Sequence, residues 1–186
     1  MAFLSKIGEK FVVPDIFRWS PEASSCIDEW HEIVMRGESP LTVSERELIV
    51  AYTSRLNGCA LCAGVHVLVA EQFGIEQGTV EAIIDDIDTA PVDDKLRPLL
   101  RYAKKLTQEP VKMTQADADA VFAAGWSEQG LHDAINIICM ANFMNRIVLG
   151  HGGTEGDISE YFNEAADYLV NNGYLPPDSD KNTKHN

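Results

Sequence analysis

The sequence predicts an all-α protein of one domain, built as a multi-helix bundle. Three observations carry that expectation. Apolar residues recur at helical spacing through most of the chain, no segment alternates with the two-residue period of a strand, and cap or stop residues punctuate the periodic runs. At 186 residues the chain has the length of one domain and can bury a sizeable core.

Residues 1–20 read as an irregular N-terminal extension. Val12, Val13, Pro14, Phe17 and Trp19 make it apolar enough to pack on a surface, such as a neighbouring subunit's. The first helix is expected from Pro21 to Arg36, with Ser20 as N-cap, Pro21 in the first position and Gly37 as the stop. Ala23, Cys26, Ile27, Trp30, Ile33 and Val34 form its apolar stripe, which makes Cys26 a small core residue.

Thr42-x-x-Glu45 opens a second helix, to Asn57, as a capping box; Ser44-x-x-Glu47 fits the same pattern. Its middle, Leu48 to Tyr52, is apolar on every side, as in a buried helix. A third helix runs from Cys59 or Ala60 to Phe73, and Gly74 ends it. A short fourth covers residues 76–86. After a polar connection at 88–94 a fifth reaches Gln108, with Pro98 confined to its first turn. Thr114-x-x-Asp117 starts a sixth that ends near Gly125. Ser127 caps a long seventh through Leu149, a glycine-rich break covers 150–156, and the last helix spans 157–172 before Gly173. The helical domain is thus expected at 21–175, and 176–186 as a disordered tail.

The chain is 45% hydrophobic and 24% charged, with a net charge of −14. That acidity argues against nucleic acid and anionic membranes as partners, because both need a basic face. The richest apolar run, Ala134–Met144, is short of a membrane span and is interrupted by Asn136 and Asn142. The N-terminus has no continuous apolar core like that of a signal peptide. The expected compartment is the cytoplasm. Thiols are kept reduced there, and a close cysteine pair is more often catalytic or metal-binding than a structural crosslink.

Such a pair lies in the stretch from Glu47 to His66. In a helix, Cys59, Cys62 and His66 fall within about 60° of one another around the axis, and Cys62 and His66 are i,i+4 neighbours. Both cysteines sit where free N–H groups and the helix dipole favour a thiolate, the nucleophilic form. His66 can accept or return a proton. Cys59 is close enough to form a disulfide with Cys62 on oxidation. Glu47, in an otherwise apolar helix, must find a partner or take up a proton, and the helix of His66 can supply one. Other readings of the same residues are a helix cap for Glu47, a satisfied core histidine for His66, and a zinc site, although a second close ligand pair is absent.

Elsewhere Cys139, within Ile137–Ala141, reads as core, and His132 with Asp133 as a solvated helix face. Asn142, Asn145 and Arg146 fit either a polar lining opposite the cysteines or pairing with acidic residues at an interface. His151 lies in a glycine-rich loop without the strand context of a nucleotide site.

The pattern Glu-x11-Cys-x2-Cys-x3-His, met by Glu47, Cys59, Cys62 and His66, resembles the active-site signature of the AhpD-like alkylhydroperoxidases of the carboxymuconolactone decarboxylase superfamily. The chain length and the Asn142-x-x-Asn145-Arg146 stretch resemble the larger peroxidase-related subgroup. The resemblance implies an AhpD-like bundle and a thiol-dependent peroxidase. Cys62 would attack a hydroperoxide and become a sulfenic acid, Cys59 would resolve it to a disulfide, and His66 and Glu47 would relay protons. It further implies no metal, haem or flavin cofactor, a dithiol reductant of lipoyl or thioredoxin type, and a homo-oligomer, as a trimer or hexamer. The sequence departs from the pattern at Leu61, where well-known relatives place a histidine directly before the second cysteine. A disulfide oxidoreductase or redox sensor without peroxide turnover, and a zinc-binding helical protein, are the alternatives.

Overall fold

The structure is a computed structural model, and it describes residues 2–7, 11–153 and 159–175. Nine α-helices lie in these residues: α1 (Val13–Phe17), α2 (Pro21–Arg36), α3 (Val43–Leu56), α4 (Ala60–Gln72), α5 (Thr79–Asp85), α6 (Arg97–Gln108), α7 (Gln115–Ala123), α8 (Glu128–Gly150) and α9 (Ser159–Asn172). The fold class is all-α, as the periodicity requires, and no strand occurs among the described residues.

Helix α3 is the centre. Every residue from Arg46 to Ser54 is buried, and α4, α5, α6 and α8 pack around it. The core joins Leu48, Ile49 and Tyr52 of α3 to Leu99 and Leu100 of α6 and to Ile137 and Ile138 of α8. The start of α3 is fixed by the expected capping box: Thr42 N–H donates to Glu45 Oε2 at 2.7 Å, and Glu45 N–H to Thr42 Oγ1 at 3.2 Å. At its other end Gly58, at φ +68°, reverses the chain into α4. The resulting hairpin sets residues near the start of α3 beside the middle of α4. Helix α9 then packs on α4, and α7 on α6.

Helix α2 corrects one expectation. Its inward residues are Ser24, His31 and Met35, while Ala23, Cys26 and Ile33 of the apolar stripe face outward, Ile33 at 70% exposure. The cause is polar. Ser24 Oγ donates to Phe17 O and Ser20 O, both at 2.9 Å, and His31 and Arg36 have partners on the inner side. Cys26 is therefore an exposed thiol rather than core, and so is Cys139, which lies on the outward face of α8 together with His132 and Phe143.

The N-terminal extension also differs from the irregular segment expected. It contains α1, and Phe3 N–H donates to His151 O at 3.0 Å in the turn that ends α8. Ile7, Phe11 and Ile16 pack on Leu61, Cys59 and Cys62 of the same chain. A 3-10 turn, Pro110–Lys112, precedes α7. The tail from 176, and the residues 154–158 expected to hold part of the glycine-rich break and the first turn of the last helix, lie outside the described residues. Among the described residues no helix is long and apolar enough to cross a membrane.

Candidate active site

Cys59 is the N-cap of α4 and Cys62 lies in its first turn. The turn between α3 and α4 is fastened by Cys59 N–H, which donates to Ser54 O at 2.9 Å. Both thiols are free, and their sulfurs stand 3.0 Å apart. Either sulfur can donate the S–H between them. Cys59 is 1% exposed and Cys62 7%.

The pair titrates as a unit. The Cys62 thiol lowers the pKa of Cys59 by hydrogen-bonding to its thiolate, against the opposing effect of burial. The same bond, then burial and the Cys59 charge, push Cys62 well above the ordinary thiol range. The first proton thus leaves readily and the second with difficulty. Asn145, 1% exposed, stabilises the thiolate form of both. Its Nδ2 donates to Ser54 Oγ at 3.0 Å, and its Oδ1 accepts from Asn57 Nδ2 at 2.8 Å. Of the two roles open to the α8 polar residues, Asn145 takes the lining one. Asn142 links Asn57 to Thr107, and Arg146 donates to Asn142 on the exposed face.

One turn along α4 from Cys62, His66 Nδ1 lies 2.7 Å from Glu47 Oε2. Glu47 is completely buried and does not serve as a cap. Its other oxygen accepts from Arg36 Nη1 at 2.7 Å and from the Tyr174 hydroxyl at 3.1 Å. Burial opposes ionisation most strongly, but His66 and Arg36 together outweigh it and hold the carboxyl below its ordinary value. The four residues of the sequence motif therefore form two pairs, Cys59–Cys62 and Glu47–His66, carried on one hairpin.

Sequence reasoning missed two parts of this neighbourhood. Arg36 ends α2 and Tyr174 follows α9; neither belongs to a periodic pattern or a motif. It also missed the roof. Ile7, Phe11, Ile16 and Val148 cover the thiols with Leu61, while Tyr161 and Phe162 of α9 close the side. Leu61 is 6% exposed within this cluster. An imidazole at that position would sit among hydrocarbon side chains, which gives the departure from the histidine pattern a physical setting. Among the described residues no three His, Cys, Asp or Glu side chains converge as a metal-binding group.

Residues 21–105 match the carboxymuconolactone decarboxylase family. The match covers a little under half of the chain and contains Glu47, Cys59, Cys62 and His66. No curated protein matches the chain in sequence. Among solved structures, it is similar to an uncharacterized peroxidase-related protein from Silicibacter sp. TM1040, at 24% identity and TM-score 0.72, over 81% of this chain and 78% of that one. An AhpD-core peroxidase-related protein from Ralstonia eutropha JMP134 shares 23% identity at TM-score 0.72, over 90% and 84% of the two chains. The debrominase Bmp8, solved with 2,3,4-tribromopyrrole, shares the fold at 14% identity and TM-score 0.67, over 81% and 79%. The AhpD/carboxymuconolactone decarboxylase fold thus occurs in proteins described by different chemistries.

Proposed function

We propose that this chain belongs to the AhpD/carboxymuconolactone decarboxylase superfamily and is a thiol-dependent peroxidase that reduces hydroperoxides through Cys59 and Cys62. The observation that carries the reading is the pair of free sulfurs 3.0 Å apart at the start of α4, one turn from the His66–Glu47 pair. Cys62 gives its proton to His66 as its sulfur attacks the outer peroxide oxygen, the O–O bond breaks, and the departing alkoxide takes that proton to leave as an alcohol. Cys62 is then a sulfenic acid. The Cys59 thiolate attacks that sulfur, forming the disulfide and releasing the oxygen as water once protonated. A dithiol donor of lipoyl or thioredoxin type returns the disulfide to two thiols and is itself oxidised to a disulfide. His66, backed by Glu47, handles the protons. Cys62 suits the attacking role as the cysteine nearer His66, four residues before it on α4. The lowered pKa of Cys59 suits the resolving role. The working state is a homo-oligomer in the cytoplasm.

The test is peroxide consumption with lipoyl and thioredoxin-type donors. Cys62→Ser should abolish turnover. Cys59→Ser should trap oxidised Cys62, detected by a sulfenic-acid reagent, in place of an intramolecular disulfide. Full turnover by Cys62→Ser would sink the proposal. A second reading, a redox sensor, draws on the roof that covers both thiols. Stoichiometric disulfide formation without turnover in the presence of both donors would favour it.

A further inference from the structure

The Glu47 carboxylate has three donors, of which only His66 belongs to the motif. Arg36 is held in place. Its guanidinium lies 5.4 Å from the centroid of the Phe73 ring and 5.0 Å from that of Tyr174. Its remaining N–H groups reach Met35 O and Leu169 O, each at 3.2 Å. Tyr174 is fixed in turn. Its backbone N–H donates to Glu32 Oε2 at 2.7 Å, and its ring lies nearly parallel to those of His31 and His66, with centroids 5.4 and 6.5 Å away.

We propose that Arg36 and Tyr174 are positioning residues of the thiol site: they hold Glu47 as a permanent anion, which fixes His66 with Nδ1–H on the carboxylate and leaves Nε2 to take and return the thiol proton. The assignment rests on the reading of Cys59 and Cys62 as the reactive centre. Glu47 then carries no proton at any stage. When a thiol ionises, its proton goes to His66 Nε2, and the imidazolium faces the Glu47 charge. When the alkoxide leaves, the same proton returns. A protonated Glu47 would leave the Arg36 guanidinium, 14% exposed, without its counter-charge, an expensive state in a buried site. The groups acting on Glu47 come from three helices and the segment after α9: Arg36 and His31 on α2, Arg46 on α3, His66 on α4, and Tyr174. Glu32 faces Tyr174 from behind.

The experiment needs no peroxide. In reduced wild-type protein, carbon NMR of labelled glutamate carboxyls and nitrogen NMR of labelled histidine follow Glu47 and His66 through a pH titration. Glu47 should titrate below the ordinary glutamate range, with His66 in the Nδ1–H form whenever neutral; a Glu47 inflection above that range overturns the assignment. Arg36→Met should mix the His66 tautomers and slow alkylation of the thiols at neutral pH roughly tenfold, as loss of a partner that orients a histidine does elsewhere. Arg36→Lys should recover most of that rate. Tyr174→Phe, which keeps the ring stack, should cost about threefold. Folded Arg36→Met and Tyr174→Phe proteins with wild-type tautomer and alkylation profile overturn the proposal. If wild type fails to turn over peroxide, the function falls, while the tautomer and titration results still decide the roles of Arg36 and Tyr174.

Discussion

The Phe162 ring of α9 lies directly over Gly64 of α4. A Cβ added to Gly64 would stand 2.5 Å from a ring carbon, far inside contact distance. This close approach brings Tyr161 and Phe162 to the edge of the thiol roof. Gly64→Ala must displace the ring or the helix. It should destabilise the fold by about 1–3 kcal/mol in urea unfolding and speed the reaction of Cys62 with a chromogenic disulfide. Wild-type stability and thiol reactivity together would show that α9 gives way without consequence.

Asn145 is the polar group from α8 that lowers the pKa of both cysteines. Asn145→Ala should raise the first pKa of the pair. Its alkylation at neutral pH should fall by about threefold to tenfold, with the difference shrinking in alkaline solution as wild type and variant both ionise. A rate ratio constant across pH would mean that Asn145 acts through access rather than acidity.

Tyr52 is fully buried in the core, yet its hydroxyl has no hydrogen-bond partner among the described residues. Burial pushes its pKa up to about 12. Tyr52→Phe removes an unsatisfied polar atom and keeps the ring, so stability should be unchanged or higher by about 1 kcal/mol. A loss of 1 kcal/mol or more on that scale would reveal a partner for the hydroxyl.

Burial also raises the carboxyl of half-buried Asp28 to about 6, against roughly 3.9 in an unfolded chain. The folded state therefore holds this proton more tightly than the unfolded state. Asp28 costs stability as pH rises from about 4 through 6, and the full cost applies above the folded value. Asp28→Asn should stabilise the protein by roughly 1 kcal/mol near neutral pH, allowing for solvent screening of a half-exposed group, and by nothing near pH 4. Thermal melts across that range read the slope directly. A pH-independent gain would assign the effect to packing.

The helices were readable from the sequence because their ends carry local chemistry. Thr42 with Glu45, Thr114 with Asp117, and Ser127 each make the cap that their spacing announces. Glu47 and His66 were readable as partners because one glycine reversal joins their helices. Arg36 and Tyr174 were not, because they meet Glu47 only after α2 and α9 have docked on the hairpin. The α2 stripe misled for a related reason. Hydrophobic period predicts the buried face only when polar residues on the other face have no inner partner; here His31 and Arg36 have one. Ile33 of that stripe and Cys139 of α8, both expected inside, face outward.

The donors to Glu47 come from early, middle and late parts of the chain. During synthesis Arg36, Glu47 and His66 leave the ribosome long before Gly173 and Tyr174. Gly173 adopts φ +73°, a conformation that favours glycine, beside the Glu32 carboxylate, and so delivers Tyr174 last. A nascent chain can hold its hairpin and both thiols and still lack the final hydrogen bond to Glu47. A nonsense codon or a protease cut just before residue 173 would leave the protein in that same immature chemical state, with both thiols present and the Glu47 carboxylate short of one donor.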